Sequence, residues 1–352
     1  MRADRPYSIG VIGGGSWGTA LAHLLCGQGH RVAQWVFEAD LAARMRETRV
    51  NDVYLPDIVL PSSLVITTDL AEAVANKEML LSVVPTQFLR PVLRQLKNLL
   101  HGDTILVSAT KGIENDTLML ISEIFAEELP DLPPERCAYL SGPSFAREVV
   151  RGLPTAVTVA SLSETTAKTV QGAFTASYMR VYTSPDVVGV ELGGAVKNVI
   201  AIATGACDGL GLGSNTIAAL ITRGQAEVAA LGTAMGASPL TFLGLAGIGD
   251  LVLTCTGDLS RNRTVGKRLG RGESLRSILK DMKMVAEGVR TTRSVHQLAQ
   301  RLGVTMPICG EVYHVLYEGG DLRGAVDRLM VRELKEEWED LTHIGGPEWR
   351  SP

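Results

Sequence analysis

Lys197 stands in ELGGAVKNV, four residues after Gly193 and three after Gly194. At helical spacing both glycines share its face one turn earlier, and Thr204 lies two turns on. The ammonium therefore sits on a face stripped of bulk, open to close approach by another surface or a small molecule. Two glycines inside a helix cost roughly 1 kcal/mol each relative to alanine, so such an approach is the compensation the pattern implies. A lysine in a cleft of that kind loses part of its hydration, shifts toward neutrality and can deliver a proton to a carbonyl oxygen. The plain alternative is a snorkelling lysine on a solvated face. Asp250 follows Gly247–Ile248–Gly249, with Thr254 one turn later on the same side. It is either a helix cap or a carboxylate that holds the charge of Lys197 in place. Ser260 can cap a helix whose first turn carries Arg261 and Asn262. Helix N-terminus, hydroxyl, amide and forked guanidinium together suit a phosphate, with solvated arginines as the alternative.

A second constellation opens the chain. SIGVIGGGSWGTALAHLL reads as a buried strand, a turn through Gly13, Gly15 and Gly18 in GxGxxG register, and an apolar helix. In a dinucleotide site Gly13 permits the turn, Gly15 lets the backbone approach a pyrophosphate, and Gly18 lets the helix sit close to the strand. Glu38 ends the second strand, RVAQWVF, 20 residues after Gly18. It reads as an acceptor for ribose hydroxyls, favouring NAD(H), or as a solvated loop residue beside Asp40. Phe88 follows the strand-end loop Val84–Pro85–Thr86, as ligand contact or as packing for the next helix. Lys111, in ATKGIE, falls at the C-terminal end of a parallel strand, where open α/β sheets place their ligands. Gly142–Pro143–Ser144 leads into a helix starting near Phe145, whose amides suit an anion or a carboxamide, unless Ser144 is only a cap.

These residues need a frame. Strands and helices alternate over residues 7–184, implying a parallel, doubly wound α/β sheet. Asn51–Pro61, with Tyr54 inside it, reads as a loop. After Pro185 the pattern is helical: 187–205, 215–235, 240–255, 261–270, 284–301 and 308–317. The expected division is 1–186, a Rossmann-type dinucleotide-binding domain, and 187–352, an all-helical substrate-binding domain. The 352 residues, 45% of them hydrophobic, carry ample core for both. A net charge of −4 gives no broad electrostatic case for nucleic acid or a membrane surface. Five cysteines without CxxC pairing argue for a reducing compartment and against a disulfide framework or structural zinc. The segment 187–206 is apolar, but Glu191, Lys197 and Asn198 argue against a membrane span. With a polar N-terminus unlike a signal peptide, the expectation is a cytoplasmic protein. No His/Cys/carboxylate cluster has metal spacing, and there is no nucleophile elbow.

The chain resembles the soluble NAD(P)-dependent glycerol-3-phosphate dehydrogenases. The likeness runs through GGGSWGTALA, VPTQF, ATKGIE, SGPSFA, ELGGAVKNVIAIATG, GLAGIGDLVLTCTGDLSRNR and VAEGV, in family order. It implies reversible reduction of dihydroxyacetone phosphate to sn-glycerol 3-phosphate, a precursor of glycerophospholipids. It implies cofactor contacts at Ser16, Trp17, Phe37, Glu38, Tyr54, Phe88 and Ala146, and late ones at Val285 and Glu287. Lys111 resembles a residue touching cofactor and substrate, and Gly142 and Ser144 match substrate-side positions. Lys197 matches the catalytic proton donor and acceptor. Asp250, Ser260, Arg261 and Asn262 match the substrate and phosphate shell, with Arg261 also near the cofactor phosphates. Many bacterial members carry arginine or histidine after strand two and use NADPH; WVFEAD looks instead like the NAD-using eukaryotic branch. NAD(H) is favoured, NADP(H) stays open, and a homodimer is compatible with the resemblance. Two other classes compete: a reductase of the same architecture acting on a 3-hydroxy acid or ketopantoate, which needs no phosphate shell, and a non-catalytic NAD-binding sensor, which has no use for Lys197.

Overall fold

The computed structural model describes residues 5–100, 103–282 and 286–337. The chain divides into two compact units: Met1–Glu114 with Met119–Glu191, and Asn115–Leu118 with Leu192–Pro352. The division falls inside the helix Val187–Gly209, where the sequence pattern places it just ahead of that helix.

The first unit holds β1 (Ser8–Ile12), β2 (Arg31–Trp35), β3 (Val50–Asn51), β4 (Leu55–Val59), β5 (Val65–Thr67), β6 (Met79–Ser82), β7 (Ile105–Ser108), β8 (Cys137–Ser141), β9 (Thr155–Ala160) and β10 (Met179–Ser184). Eight of them form one sheet in the order β10-β9-β8-β7-β6-β1-β2-β5. From β5 to β8 the strands are parallel. β9 pairs antiparallel with β8 and parallel with β10, so the last two strands run the other way. The link from β8 to β9 holds one turn of helix, Ala146–Val149, instead of a full crossover helix, and an antiparallel neighbour needs no crossover. The central strands are continuous apolar runs, as strands covered on both faces require; Ile9, Val11, Ile12, Leu80 and Leu81 are wholly buried.

Residues 51–61 depart from the expected loop. β3 and β4 pair into a small antiparallel hairpin outside the main sheet. Pro56 weighs against a strand in the sequence, but a two-stranded ribbon is all edge and tolerates it. Asn51, wholly buried, docks the hairpin on the glycine turn: its amide donates to the Gly14 carbonyl at 2.8 Å and to Thr19 Oγ1 at 2.9 Å.

The second unit shows no strand among its described residues. Its helices are Val187–Gly209, Gly213–Ala234, Asp250–Thr256, Arg261–Gly270, Leu275–Asp281, Glu287–Leu302, Pro307–Tyr317 and Leu322–Met330. The expected helix 240–255 is three pieces, a 3₁₀ segment Pro239–Leu243, a π turn Leu245–Gly249 and the helix Asp250–Thr256. Non-helical backbone at Gly247 makes the break. Leu275–Asp281 and Leu322–Met330 lie beyond the six helices expected from the sequence; Ser274 and Asp321 cap them through their side chains.

Val187–Gly209 is long and apolar enough to cross a membrane by length and composition, yet 89% of its apolar window is buried within the fold, as in a core helix. It crosses Arg261–Gly270 backbone to backbone. A Cβ on Gly205 would meet the Arg263 carbonyl at 2.1 Å, one on Gly209 the Lys267 carbonyl at 2.3 Å, one on Gly266 the Ile202 carbonyl at 2.0 Å, and one on Gly270 the Ala206 carbonyl at 2.3 Å. Each helix thus presents two glycines four residues apart, and no side-chain layer separates them.

Candidate active site

In the second unit the glycine face of Val187–Gly209 is filled by the protein itself. A Cβ on Gly193 would lie 2.3 Å from the Ala246 carbonyl. The missing side chain lets the π turn come down on the helix, and that turn delivers Asp250. The Asp250 carboxylate accepts from Lys197 Nζ at 2.5 Å, and Thr254 Oγ1 accepts from the same ammonium at 2.8 Å. Thr254 Oγ1 in turn donates to the Asp250 backbone carbonyl at 2.6 Å. Lys197 is 7% exposed and Asp250 1%, which excludes the snorkelling alternative. The carboxylate thus stands in contact with the Lys197 ammonium as its counter-charge. Asp250 is the first residue of its helix and makes no cap there.

Ser260 caps Arg261–Gly270, its hydroxyl accepting from the Arg263 amide at 3.2 Å. Arg261, at the first helical position, is partly buried, and burial pulls its guanidinium below the usual value while the charge of Glu287 works against that. Among the described residues the Arg261 guanidinium has no hydrogen bond or contact ion pair. Asn262 is differently placed. It donates to Asn198 Oδ1 at 2.9 Å and accepts from the Gly288 amide at 3.0 Å. It locks three helices together. Its partner Asn198, next to Lys197, is not among the residues the sequence points to, because a buried amide carries no periodic signal that marks it. Val285 lies outside the described residues.

In the first unit, β1, β6, β7 and β8 are parallel neighbours, so the turns after them share one sheet edge. Gly13 takes φ +131, and a Cβ there would meet the Val83 carbonyl at 2.8 Å. Gly18 packs against the Gly13 carbonyl, where a Cβ would lie 2.4 Å away. At Gly15, by contrast, no atom of the described residues, its own chain neighbours apart, stands within 4 Å of where a Cβ would be. Gly15 is also the N-cap of Ser16–Gly27, and no side chain caps that helix. The space and the first-turn amides beside Ser16 and Trp17 fit a pyrophosphate.

Glu38 precedes the helix Ala39–Thr48 without capping it. Its carboxylate accepts instead from Tyr54 Oη at 2.8 Å. Burial, together with that bond, pushes the phenol up to about 12. Phe37 and Phe88 are 78% and 49% exposed, so Phe88 is no core residue of the following helix. Lys111 Nζ donates to the Gly142 carbonyl at 3.3 Å, and Ser144 Oγ to the same oxygen at 3.0 Å. Three residues singled out on two strand-end loops thus converge on one atom, and Ser144 is not a cap. Ala146 opens the short helix after them.

The sequence model described as NAD-dependent glycerol-3-phosphate dehydrogenase N-terminus matches residues 8–167, and the C-terminus model matches 186–327. The chain belongs to this dehydrogenase family. A curated relative from Syntrophotalea carbinolica, glycerol-3-phosphate dehydrogenase [NAD(P)+], is 58% identical over 94% of this chain and 100% of its own length. One from Leptospira biflexa is 53% identical over 94% of this chain and 99% of its own length. The crystal structure of the Coxiella burnetii glycerol-3-phosphate dehydrogenase superposes with a TM-score of 0.89 at 40% identity, covering 93% of this chain and 99% of that one. The likeness of WVFEAD to the eukaryotic branch is local, since over the whole fold a Saccharomyces cerevisiae member shares 28% identity, at a TM-score of 0.76. A Ralstonia eutropha ketopantoate reductase shares the fold alone, at 15% identity and a TM-score of 0.57. Among the described residues no cluster of His, Cys and carboxylates could hold a metal.

Proposed function

We propose that the protein interconverts dihydroxyacetone phosphate and sn-glycerol 3-phosphate, with Lys197 as proton donor and acceptor and with NADH preferred over NADPH. As a member of its family it is an NAD(P)-dependent oxidoreductase. When bound, the nicotinamide cofactor supplies or takes up hydride at the substrate's central carbon. The chain does the rest. Lys197 gives a proton to the carbonyl oxygen as it becomes an alkoxide, and Asp250 and Thr254 hold the ammonium charged and aimed.

One observation carries the choice of a phosphorylated substrate: the partly buried Arg261 guanidinium, which feels the charge of Glu287 but makes no hydrogen bond or contact ion pair among the described residues. A buried cation calls for an anion, and a forked guanidinium at a capped helix N-terminus matches phosphate. Ser260 shapes that helix end, and Asn262 holds it against its neighbours. Lys111, with Gly142 and Ser144, is assigned to substrate by the same family resemblance. Gly13, Gly15, Gly18, Ser16, Trp17, Phe37, Phe88, Ala146, Val285 and Glu287 serve the cofactor.

Glu38 supports the NADH preference. Its carboxylate is held by Tyr54 and would face a 2′-phosphate with like charge, whereas ribose hydroxyls can donate to it. The test is oxidation of NADH and NADPH, in parallel, with dihydroxyacetone phosphate and with dihydroxyacetone. Fast oxidation that needs the phosphate and prefers NADH supports every part of the reading. Equal rates without the phosphate remove the role of Arg261, and an NADPH preference removes that of Glu38.

A further inference from the structure

We propose that Arg90, with Gln87, is a positioning residue that sets the Lys111 ammonium for substrate; the inference rests on the substrate role of Lys111 stated above. The segments VPTQFLR and ATKGIE follow neighbouring strands, and a ladder of side-chain bonds ties them together. Thr110 Oγ1 donates to the Val84 carbonyl at 2.8 Å. Thr86 Oγ1 donates to the Lys111 carbonyl at 3.3 Å, and Gln87 Nε2 to the Ile113 carbonyl at 2.9 Å. Arg90 ends the ladder with a fork on Glu114, Nε to Oε1 at 3.1 Å and Nη2 to Oε2 at 2.7 Å.

Arg90 is itself fixed from behind. Its Nη1 donates to Glu127 at 2.7 Å and to Glu128 at 2.6 Å, on the helix Ile121–Glu128. The side chains of Arg90 and Glu114 are only 14% and 12% exposed, so this is not a loose surface pair. Between the rungs, Gly112 takes φ +147, a conformation that suits glycine, so no side chain of its own braces the loop beside Lys111. The rungs do so at Lys111 and at Ile113–Glu114. Arg90 touches neither Gly142 nor Ser144 in any described contact, so its influence on the site passes through the loop.

The test is a double-mutant cycle on the full-length enzyme with Arg90→Met, Lys111→Met and the pair. KM for dihydroxyacetone phosphate, kcat and the NADH dissociation constant (by nucleotide fluorescence) are read for each, with Tm recorded. The inference expects Arg90→Met to raise KM about tenfold, the worth of one charge-assisted contact, with kcat within about threefold. It expects no further rise when Arg90→Met is added to Lys111→Met. A merely structural role would lower Tm and the active fraction and leave KM unchanged, which overturns the inference. Additive effects on KM also overturn it. If Lys111→Met alone leaves both KM and NADH affinity unchanged, the reading of Lys111 fails first and the inference falls with it. Gln87→Leu removes one uncharged rung; should Arg90→Met not fold, it is expected to raise KM in the same way with smaller amplitude, and an unchanged KM overturns the inference.

Discussion

At the scale of single residues, the proposed chemistry rests on the buried pair of Lys197 and Asp250. Removing Lys197 takes away a proton donor, so Lys197→Ala is expected to lower kcat by about 10²–10⁴, with NADH affinity unchanged in a fluorescence titration. Asp250→Asn removes the carboxylate that a desolvated ammonium contacts. Breaking a buried pair from one side costs about 3–5 kcal/mol, so this variant should lose thermal stability as well as turnover. Arg261→Met should raise KM for dihydroxyacetone phosphate at least tenfold and leave the slow reaction of dihydroxyacetone alone, because only the former offers the anion. The pairing of Lys197 with Asp250 and the place of Arg261 at a capped helix start are legible in the sequence because they depend on residue type at helical spacing. Asn262 is legible only in part: an amide at a helix start reads as a ligand, yet here both its ends are taken by Asn198 and Gly288. Asn51 and Tyr54 gain their roles from a hairpin that the prolines conceal.

At the scale of elements, the glycines of Val187–Gly209 announce a close approach but not by what. The answer, the protein's own π turn, depends on a backbone break at Gly247 that no periodicity encodes. Substitution of the crossing glycines tests the packing directly. Gly266→Ala places a Cβ 2.0 Å from the Ile202 carbonyl and should cost about 1–3 kcal/mol in urea unfolding. Gly310→Ala, in a helix with nothing within 4 Å of the new atom, should instead stabilise by up to about 1 kcal/mol. Two helix N-termini are capped from other elements by buried glutamates. Glu191 accepts from Ser122 N and Oγ at 2.9 and 2.6 Å, and Glu227 from Ile308 N and Cys309 N at 2.7 and 3.1 Å. Burial pushes them up to about 8 and about 7, against 4.5 when unfolded. The folded state thus keeps protons that the unfolded chain releases. Stability from this source is complete below pH 4.5 and is lost as pH rises through 7 to 8. Urea midpoints at about pH 5 and about pH 8.5 should show that decline, and Glu191→Gln with Glu227→Gln should flatten it.

At the scale of the whole molecule, the order of elements is readable because buried strands and amphipathic helices differ in period. The reversal of β9 and β10 is not, since a strand's direction is set by its neighbour and leaves no mark on its own pattern. Cysteine usage has a molecular consequence too. All five thiols are free and raised by burial, Cys137 and Cys255 to about 12. Few thiolates exist near neutrality, so iodoacetamide at about pH 7.5 should leave activity intact over hours.

The backbone-to-backbone crossing of Val187–Gly209 and Arg261–Gly270 also makes a ruler. Lys197 is mounted on one helix and Arg261 on the other, and with no side-chain layer between the two backbones their mounting points are held at a fixed spacing. If Lys197 and Arg261 hold the two ends of the substrate as proposed, a ketone phosphate lengthened by a single methylene fits that spacing less well. It should turn over about 10²-fold more slowly, the usual effect of misplacing a reacting group by about 1 Å.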